Sequence, residues 1–509
     1  MKNTNNFYLA LSISFLIFLV SRIFIIFSNG TDLAGIEQNV IYSIQIYLAS
    51  GKLYFSPKNI PFSITQYTPL YYYICAFTAK IFAINPDGNF NSIYVIGRVW
   101  NLVFNLSSAY VTYSLARRFF KLSKDNCWII FLSTFTFTFA HNFAVRPDSL
   151  HDLIGITSIY TFLLMLENIN KLKGYFYLLV ITIILSLFAV LSKQSGIQFI
   201  IIFLGITIWN KKWILFIRML FCAVLIYAFS IYLFTCLYPS FLENVVGGVN
   251  NGINIENYLR YVIGKNIFII TVWPLILGFL YIILRNRNRF TADLADTSLI
   301  ICTLGTLIFA LVTALKMGST AQYFIVFINL SLIVIFKEIE NKNNQKRNTI
   351  PIIFKSYLGV IAVVFFVSNA KLIYKLDGDP ILEAQRASAN RTASFLKDQN
   401  RLSANKYIFF NLTTDYTIPS RQSLNNIFFR NCLVPQMDIL QYSTKQLDVI
   451  GYQKLEEMIK NGDVNYIVGS DPKINFLLFD NLDILLKKHY RLIKNIDGYL
   501  IYEFLPLNR

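Results

Sequence analysis

The stretch AHNFAVRPDSLHDLIGI, residues 140–156, places charged side chains between two long apolar runs. Arg146, Asp148, His151 and Asp152 all lie within it. An ionised side chain costs roughly 2.5–3.5 kcal/mol when it is inserted into the hydrocarbon of a membrane. We therefore interpret this stretch as a corner, at which the chain turns at a membrane surface between two spans.

Apolar runs of similar length recur on both sides of this corner. Of the 509 residues, 55% are hydrophobic and 15% are charged, whereas soluble proteins have about 25% charged residues. The composition and the run lengths predict a polytopic α-helical membrane protein with about 11 transmembrane helices, because roughly 20 apolar residues cross a bilayer. The predicted spans are residues 7–27, 92–116, 127–144, 150–167, 175–192, 196–210, 214–236, 261–284, 297–315, 321–336 and 350–369.

Basic residues are concentrated on alternate connections between these spans, which indicates the orientation of the chain. With a cytoplasmic N-terminus, the inner segments contain 16 Lys/Arg: Lys2, ARRFFKLSK, NKLKG, NKK, RNRNR and KEIENKNNQKR. This is the positive-inside pattern of membrane proteins. It accounts for much of the net charge of +18, so we expect the lipid bilayer and no nucleic acid as a partner.

The same orientation sets the domain organisation. Residues 69–84 are assigned to a helix along the external interface, because a further span there would place the basic clusters outside. We predict a transmembrane domain over residues 1–369 with a large first external loop, 28–91. An extracytoplasmic α/β domain is predicted over 370–509. Its predicted strands are KYIFFNL, VNYIVGS and YLIYEF, and its predicted helices are 380–399, 450–461 and 474–488.

The first external loop contains two candidate general bases. Glu37 begins EQNVIYSIQIYLASGKLY, whose apolar residues recur at helical spacing. A carboxylate in the first turn of a helix at the membrane boundary can be partly desolvated, which raises its pKa toward that of a useful base. Asp32 is the alternative base. For either residue, helix capping or solubility is the alternative interpretation.

The corner at residues 140–156 contains a third candidate acid. Pro147 suits the first turn of a helix, so Asp148 lies where the helix dipole favours negative charge. His151 and Asp152 follow at i+3 and i+4 and share a face with Asp148. We predict an active-site role for Asp148 and substrate contact for His151. Capping and metal binding are the alternatives, and a metal would need further ligands.

Several donors precede helices on the predicted outer face. Lys193 and Lys316 each follow a span and stand beside small residues, and a lysine near a helix N-terminus suits a phosphate. Snorkelling to the headgroups is the alternative for both lysines. We predict that the phosphate and lipid of a donor contact Lys316, Lys193, Arg146, Gln322 and Tyr323. Gln66 and Tyr67 are predicted to contact substrate from the first loop.

Together these groups predict a basic, hydrogen-bonding pocket at the outer face, bordered by lipid. Such a pocket suits an amphiphile with its phosphate at headgroup level, and a nearby carboxylate could activate a hydroxyl that displaces the phosphate from a sugar. No GxGxxG or Walker A sequence is present. A transporter or flippase of lipid-linked sugars is the alternative; it would require ionisable groups near the middle of several spans. A non-enzymatic protein of cell-envelope assembly is the third hypothesis.

The chain resembles bacterial membrane glycosyltransferases of the GT-C class, in the family 39-like, protein-mannosyltransferase-related group. The resemblance covers about residues 7–340 and is carried by the order of these motifs: GIEQNVIYSIQIYLASGKLY, QYTPLYYYICA, IGRVWNLV, LARRFF, RPDSLHDLIG, KQSG and KMGSTAQYF. It implies an inverting transfer, in the bacterial inner membrane, of a sugar from a polyprenyl-phosphate donor to a hydroxyl. The acceptor would be a cell-envelope glycolipid, polysaccharide or protein.

The resemblance also bears on individual residues. Such enzymes usually carry an acidic pair in the first loop. Glu37 matches its second acid, whereas Ile36 occupies the first position, which leaves the base open between Glu37 and Asp32. Asp148 matches the second-loop acid of the family. The resemblance implies no cofactor and no metal, although a related oligosaccharyltransferase subgroup uses a divalent cation.

Overall fold

The computed structural model describes residues 2–28, 33, 37–88, 90–169, 172–248, 252–285, 293–316, 318–343, 351–398, 406–411, 424–435, 451–469 and 482–505. Asp32 and the first part of the predicted helix 474–488 lie outside the described residues. The first seven helices are α1 (Lys2–Phe27), α2 (Glu37–Ser50), α3 (Leu70–Ile81), α4 (Phe90–Arg118), α5 (Lys124–Thr136), α6 (Ala140–Phe143) and α7 (Asp148–Glu167).

The later helices continue in chain order. They are α8 (Leu172–Ser192), α9 (Ile197–Trp209), α10 (Trp213–Leu237), α11 (Ile255–Asn257), α12 (Asn266–Thr271), α13 (Trp273–Arg285), α14 (Leu294–Ala314), α15 (Ile325–Asn343), α16 (Ile352–Asp377), α17 (Pro380–Asp398), α18 (Tyr452–Asn461) and α19 (Leu482–His489). The strands are β1 (Tyr407–Asn411), β2 (Cys432–Leu433), β3 (Val464–Gly469), β4 (Tyr490–Ile496) and β5 (Tyr499–Phe504).

Within the described residues, eight helical segments are long and apolar enough to cross a membrane. They are Phe7–Phe27, Asp148–Glu167, Gly174–Ser192, Trp213–Leu237, Asn266–Arg285, Leu294–Ala314, Ala321–Asn341 and Ile353–Leu376. Each coincides with a span predicted from the sequence. The other three predicted spans correspond to α4, to α5 followed by α6, and to α9. The polytopic helical fold is thus confirmed, and the total of eleven crossings stays a prediction.

Two helices differ from a simple membrane span. The helix α3 has 12 residues, so at 1.5 Å per residue it is about 18 Å long, too short to cross ~30 Å of hydrocarbon. The predicted span 127–144 is interrupted, because α5 ends at Thr136. Arg22 on α1 explains this interruption: its Nη2 donates hydrogen bonds to the carbonyl of Phe135 and the hydroxyl of Thr138. Carbonyls at a helix end are free to accept such bonds.

The chain divides into two compact units, and the first contains Met1–Ile25, Val99–Tyr232 and Ile253–Leu372. Its helices α7 and α9 approach closely where Gly155 faces the ring of Phe199. A Cβ at Gly155 would lie 2.0 Å from that ring. About two turns further along α7, the ring of Phe162 stacks on that of Phe203 in α9, with centroids 4.4 Å apart. This approach brings His151 on α7 beside Gln198 on α9.

The second unit contains Ile26–Arg98, Leu233–Gly252 and Ile373–Arg509. It holds a five-stranded sheet in the order β2-β1-β3-β5-β4, with β1 parallel to β2 and β3 and with β5 antiparallel to β3 and β4. The three predicted strands are confirmed as β1, β3 and β5. The strand β4 was not predicted, although Asp497 and Gly498, both with positive φ, form a two-residue hairpin turn of a type that strongly favours Asp-Gly.

Both faces of the sheet are covered within this unit. One face packs Phe409, Leu433 and Ile467 against Phe62 and Ile64 of the first loop. On the other face, Ile408, Phe410, Tyr466 and Val468 pack with Ala389, Ala393 and Leu396 of α17. The first loop and the C-terminal sheet therefore share a hydrophobic core. A separate domain over residues 370–509, as predicted from the sequence, stays a prediction.

Candidate functional site

The corner predicted from residues 140–156 is the start of α7 in the first unit. Asp148 is the first residue of this helix and follows Pro147, whose φ of −74° suits a helix start. The charged side chains here are buried, with relative exposures of 5% for Arg146, 3% for Asp148, 6% for His151 and 6% for Asp152. The protein interior therefore holds several ionisable groups at one helix end, where each requires a partner.

Asp148 lies between two cations. Lys193 Nζ is 2.6 Å from Asp148 Oδ1, and Arg146 Nε is 3.2 Å from Asp148 Oδ2. The same Lys193 ammonium lies 4.0 Å from the ring centroid of Tyr323, in cation–π contact. With all three groups ionised, the cluster of Arg146, Asp148 and Lys193 has a net charge of about +1, which favours an anionic ligand.

His151 and Asp152 form a second pair beside this cluster. His151 Nδ1 is 3.1 Å from Asp152 Oδ1, and Asp152 Oδ2 accepts a hydrogen bond of 3.2 Å from Asn142 Nδ2. The other ring nitrogen, Nε2, is 3.3 Å from Ser195 Oγ and 3.4 Å from Gln198 Nε2. A carboxylate at Nδ1 favours the tautomer with a proton there, which leaves Nε2 to accept hydrogen bonds.

The KQSG sequence positions Lys193 and Ser195. It forms a 3₁₀ turn over Gln194–Gly196 between α8 and α9. A Cβ at Gly196 would lie 2.2 Å from the backbone carbonyl carbon of Ala189, so only glycine allows α9 to start this close to the end of α8. The tight turn directs the Lys193 side chain to Asp148 and the Ser195 hydroxyl to His151.

The KMGSTAQYF sequence contributes Lys316, Gln322 and Tyr323. Lys316 is tied to the chain by a β-bridge to Ile253. Burial lowers the pKa of Lys316 to about 8; the nearby Lys193 and Arg146 also lower it, whereas Tyr323 acts in the opposite direction. Lys316 therefore adds a third positive charge to the potential around Lys193 and Arg146.

Gln322 is the clearest sign of a ligand. Its side chain is only 2% exposed, yet neither its Oε1 nor its Nε2 has a hydrogen-bond partner among the described residues. Buried amides are normally paired, and leaving one unpaired costs about 1–3 kcal/mol. Gln322 lines a cavity with Asp148, His151, Lys193 and Tyr323. Its volume of about 10 Å³ suits roughly one water molecule, so a larger ligand would require these side chains to separate.

The structure thus brings together seven residues predicted for the site: Arg146, Asp148, His151, Lys193, Lys316, Gln322 and Tyr323. The residues of α4 that hold the corner were not predicted from the sequence. Asn101 Nδ2 donates to the Ala144 carbonyl, and Asn105 Nδ2 donates to the Asn142 carbonyl at 3.0 Å. A signal was available, because Asn101, Asn105, Ser108 and Thr112 form a polar stripe at helical spacing on α4.

Glu37 belongs to the second unit, where it forms a buried ion pair with Arg98. Arg98 Nη2 is 2.8 Å from Glu37 Oε2, and Arg98 Nε is 3.1 Å from Oε1, with neither side chain exposed. The Leu33 backbone N–H also donates to Oε2 at 2.7 Å. As a general base, Glu37 would have to share its oxygens with Arg98. That role stays a prediction, as does the alternative role of Asp32.

Gln66 and Tyr67 also lie in the second unit. Gln66 Nε2 donates to the Gly248 carbonyl at 3.0 Å, and the Tyr67 carbonyl accepts a hydrogen bond from the Tyr54 hydroxyl at 2.9 Å. Next to them, the Thr65 N–H donates to Asn244 Oδ1 at 2.7 Å. These bonds tie the segment to the chain around Asn244, and the predicted substrate contacts stay predictions.

No group of three or more His, Cys, Asp and Glu side chains in the described part of the chain is arranged to hold a metal ion. At Asp148, both carboxylate oxygens face cations, Lys193 and Arg146. A divalent ion at Asp148 would have to displace these cations. A divalent cation therefore fits this carboxylate poorly as the side chains are arranged.

No family model matches this chain, and no curated protein matches it. Several solved structures do match this chain. ArnT from Cupriavidus metallidurans bound to undecaprenyl phosphate superposes with a TM-score of 0.60 at 13% identity, over 98% of both chains. The Archaeoglobus fulgidus oligosaccharyltransferase in the apo form gives 0.59 at 13% identity, over 98% of this chain and 75% of that one.

A third structure is AglB from Archaeoglobus fulgidus in complex with an inhibitory peptide and a dolichol-phosphate. It gives a TM-score of 0.54 at 14% identity, over 98% of this chain and 75% of that one. ArnT and AglB are both GT-C glycosyltransferases. At such low identity the likeness establishes the fold, and the predicted GT-C-like membrane fold is confirmed.

Proposed function

We propose that this chain, a membrane protein with the GT-C fold, is an inverting glycosyltransferase that uses a polyprenyl-phosphate sugar. The sugar would pass to a hydroxyl of a cell-envelope glycolipid, polysaccharide or protein. The observation that carries the proposal is the cationic cluster of buried Arg146 and Lys193 with partly buried Lys316. Beside it lies Gln322, whose amide has no hydrogen-bond partner among the described residues. ArnT bound to undecaprenyl phosphate and AglB in complex with dolichol-phosphate support this ligand class.

In this proposal the cluster binds the phosphate of the donor. Lys193 and Lys316 supply ammonium groups, and Arg146 supplies a guanidinium that can bind two phosphate oxygens at once. Gln322 and Tyr323 donate further hydrogen bonds. As the bond between the sugar carbon and the phosphate oxygen breaks, the electron pair goes to the phosphate. The preorganised cations then stabilise this additional charge more than they stabilise the donor, which lowers the barrier.

The attacking hydroxyl requires a base. We assign this role to Glu37 or Asp32, so that the acceptor oxygen bonds to the sugar carbon while its proton passes to the carboxylate. Asp148 has both oxygens on cations, so we assign to it the placement of Lys193 and Arg146. His151, oriented by Asp152, is assigned to accept a hydrogen bond from a sugar hydroxyl through Nε2. No metal takes part in this scheme.

The proposal includes a location. We infer a multi-pass protein of the bacterial inner membrane with a cytoplasmic N-terminus. The site and the C-terminal region, 370–509, would then face outward. The one-sided basic connections support this orientation. A reporter enzyme fused after Arg509 that is active only outside the cytoplasm tests it, and activity only inside the cytoplasm would contradict it.

A transfer assay tests the function itself. The full chain in detergent is given a synthetic polyprenyl-phosphate sugar and acceptor lipids, and the glycosylated product is quantified for wild type and for Asp32→Asn, Glu37→Gln and Asp148→Asn. Transfer by wild type and its loss in at least one variant support the proposal. Full activity of all three variants would refute the assigned carboxylates. Lipid-linked sugar that crosses vesicle membranes without transfer would identify a flippase instead.

A further inference from the structure

A groove in the first unit lies far from the cationic cluster. It is lined by Tyr175, Lys211, Lys212, Trp213 and Arg218, together with apolar side chains, and has a volume of about 630 Å³. It lies near the start of α8, whereas Lys193 follows the other end of this helix. The 21 residues of α8 correspond to about 30 Å at 1.5 Å per residue, the thickness of the hydrocarbon. The groove and the cluster therefore belong to opposite faces of the membrane.

The groove is positively charged. Lys211, Lys212 and Arg218 line it without any carboxylate, and none of the three belongs to an ion pair formed within the described ranges. The turn that carries the lysines is well ordered by backbone bonds. The Lys211 N–H donates to the Ile208 carbonyl and the Lys212 N–H to the Thr207 carbonyl, both at 2.9 Å.

Arg218 is the least expected of these cations. It follows Lys212 by six positions, which places it about 9 Å further along the helix axis. The helix α10 is the most exposed of the candidate spans described, with only 17% of its most apolar stretch buried inside the protein. A cation this far into a lipid-facing helix is costly unless its side chain extends to the headgroups and meets an anion there.

The remaining lining suits the boundary between headgroups and acyl chains. Trp213 is 56% exposed, and Trp and Tyr side chains are enriched at this level of a bilayer. Phe176 and Ile214 are exposed, and Leu215 forms a buried apolar floor. Cations beside exposed apolar side chains match a phosphodiester headgroup with acyl chains attached.

We propose that this groove binds one anionic phospholipid of the membrane leaflet opposite to the cationic cluster. Arg218 binds two oxygens of the lipid phosphate, and Lys211 and Lys212 bind the headgroup from the side of the aqueous phase. The acyl chains lie along exposed apolar side chains of α8, among them Phe176. The site is independent of the glycosyltransferase reaction, because none of its residues belongs to the cluster around Asp148.

Lipid titration of the full chain in a neutral detergent tests the proposal. Phosphatidylglycerol and phosphatidylcholine with the same acyl chains are added, and the Tm is recorded. We expect phosphatidylglycerol to raise the Tm of wild type saturably, and phosphatidylcholine to have little effect. The triple variant Lys211→Gln, Lys212→Gln, Arg218→Gln should require at least about 10-fold more phosphatidylglycerol, because it loses all three cations that bind the lipid phosphate.

A matched control removes three charges elsewhere. The variant Lys121→Gln, Lys124→Gln, Arg285→Gln changes exposed basic residues on the same predicted face but outside the groove. It should respond to phosphatidylglycerol like wild type. Equal loss in both triple variants would overturn the proposal in favour of unspecific attraction to the surface. The same stabilisation by glycerol 3-phosphate would also overturn it, since the ligand would then be a soluble anion.

A second measurement avoids unstable variants. Phosphatidylglycerol with brominated chains should quench the fluorescence of the wild type more than brominated phosphatidylcholine does. The chain has five tryptophans, so the contribution of Trp213 is obtained by difference from Trp213→Phe. Loss of the selective quenching in this variant supports the proposal. Selective quenching that is unchanged without Trp213 would place the lipid elsewhere and overturn it.

Discussion

Charged side chains are paired differently at the two ends of the helix pair α14 and α15. At one end, which we call the matched end, Lys337 pairs with Asp296, and Glu340 accepts hydrogen bonds from the Ser123 N–H and Asn126 Nδ2. At the other, the cationic end, Lys316 and Tyr323 lie with Lys193 and Arg146, next to Asp148 and to Asp152, which pairs with His151. Charges that are matched hold helices together, whereas excess charge next to an unpaired buried amide indicates a site that is completed by a ligand.

The largest effect is expected from Lys193→Gln at the cationic end. Lys193 is the cation closest to Asp148, at 2.6 Å, and in our scheme it stabilises the departing phosphate. Removing one such donor typically lowers kcat by about 100- to 1,000-fold, and we expect this loss in the transfer assay. Lys337→Gln at the matched end removes a comparable charge and should retain transfer within about 3-fold, since a partly exposed pair contributes little.

A loss of transfer in Lys193→Gln could also come from misfolding. In Lys193→Gln the Asp148 carboxylate keeps Arg146 as a cationic partner at 3.2 Å, so this buried ion pair stays matched. The Tm of Lys193→Gln should therefore stay close to that of wild type, while transfer falls. A Tm that falls in parallel with transfer would assign Lys193 a role in folding only, and would end the distinction between the two helix ends.

The second-largest effect is expected from Asp148→Asn, which makes the cationic end more positive. Asp148→Asn removes the carboxylate that neutralises the cluster and frees the Lys193 ammonium. A hydrogen bond to a charged group is worth about 1.5–3 kcal/mol, so inorganic phosphate should bind roughly 10- to 100-fold more tightly to this variant, as measured by isothermal titration or by the phosphate-dependent rise in Tm. Asp296→Asn at the matched end is the control and should leave phosphate binding unchanged. Weaker phosphate binding by Asp148→Asn would argue against an anion site.

The same two helix ends show which features of the molecule can be predicted from its sequence. Hydropathy and length predict the spans, because the bilayer sets one length for every crossing. The polar corners predict most of the cationic end, because charged groups at helix termini in a membrane chain have few alternative roles. The sequence does not reveal which charges are matched. Glu37 and Arg98 are 61 residues apart, and only the folded chain shows that they pair.

Two other features escaped prediction for different reasons. The Asn101 and Asn105 stripe on α4 is visible in the sequence, but its partners are backbone carbonyls of the corner, which carry no sequence signal. The interruption after α5 depends on Arg22 of a distant helix. In both cases a local pattern predicts the element, and a long-range contact decides its detail.

A third prediction uses the ionisation of Lys316. Burial lowers the pKa of Lys316 to about 8, so this lysine loses its proton as the pH rises through about 8. If the charged form binds the donor phosphate, kcat/KM for the donor should fall about 10-fold between pH 7 and pH 9, because kcat/KM reports the free enzyme. Lys316→Arg keeps its charge at these pH values and should flatten this part of the profile.

Lys337 at the matched end provides the control for this profile. Lys337→Arg should show the same fall in kcat/KM as wild type, because Lys337 is not part of the phosphate site. A profile that is flat in wild type, or one that falls equally in Lys316→Arg, would remove Lys316 from the site. The prediction therefore separates a phosphate-binding lysine from one that only extends toward the headgroups.

The smallest effect is expected from the support that the cationic end receives from α4. Asn105→Ala removes a single hydrogen bond, of 3.0 Å, to the Asn142 carbonyl. Such a bond contributes about 0.5–1.5 kcal/mol, so we expect transfer to fall by roughly 2- to 10-fold with a small decrease in Tm. Asn142 also donates to Asp152, so a shifted corner should raise KM more than it lowers kcat, because His151 would lose its fixed orientation.

Ser108→Ala is the matched control for this change. Ser108 lies on the same polar stripe and is buried, but its hydroxyl has no hydrogen-bond partner among the described residues. Its removal should leave transfer and Tm unchanged, or raise the Tm slightly, because a buried unpaired hydroxyl is lost. Equal losses in Asn105→Ala and Ser108→Ala would mean that the packing of α4, and not its bond to the corner, maintains the cationic end.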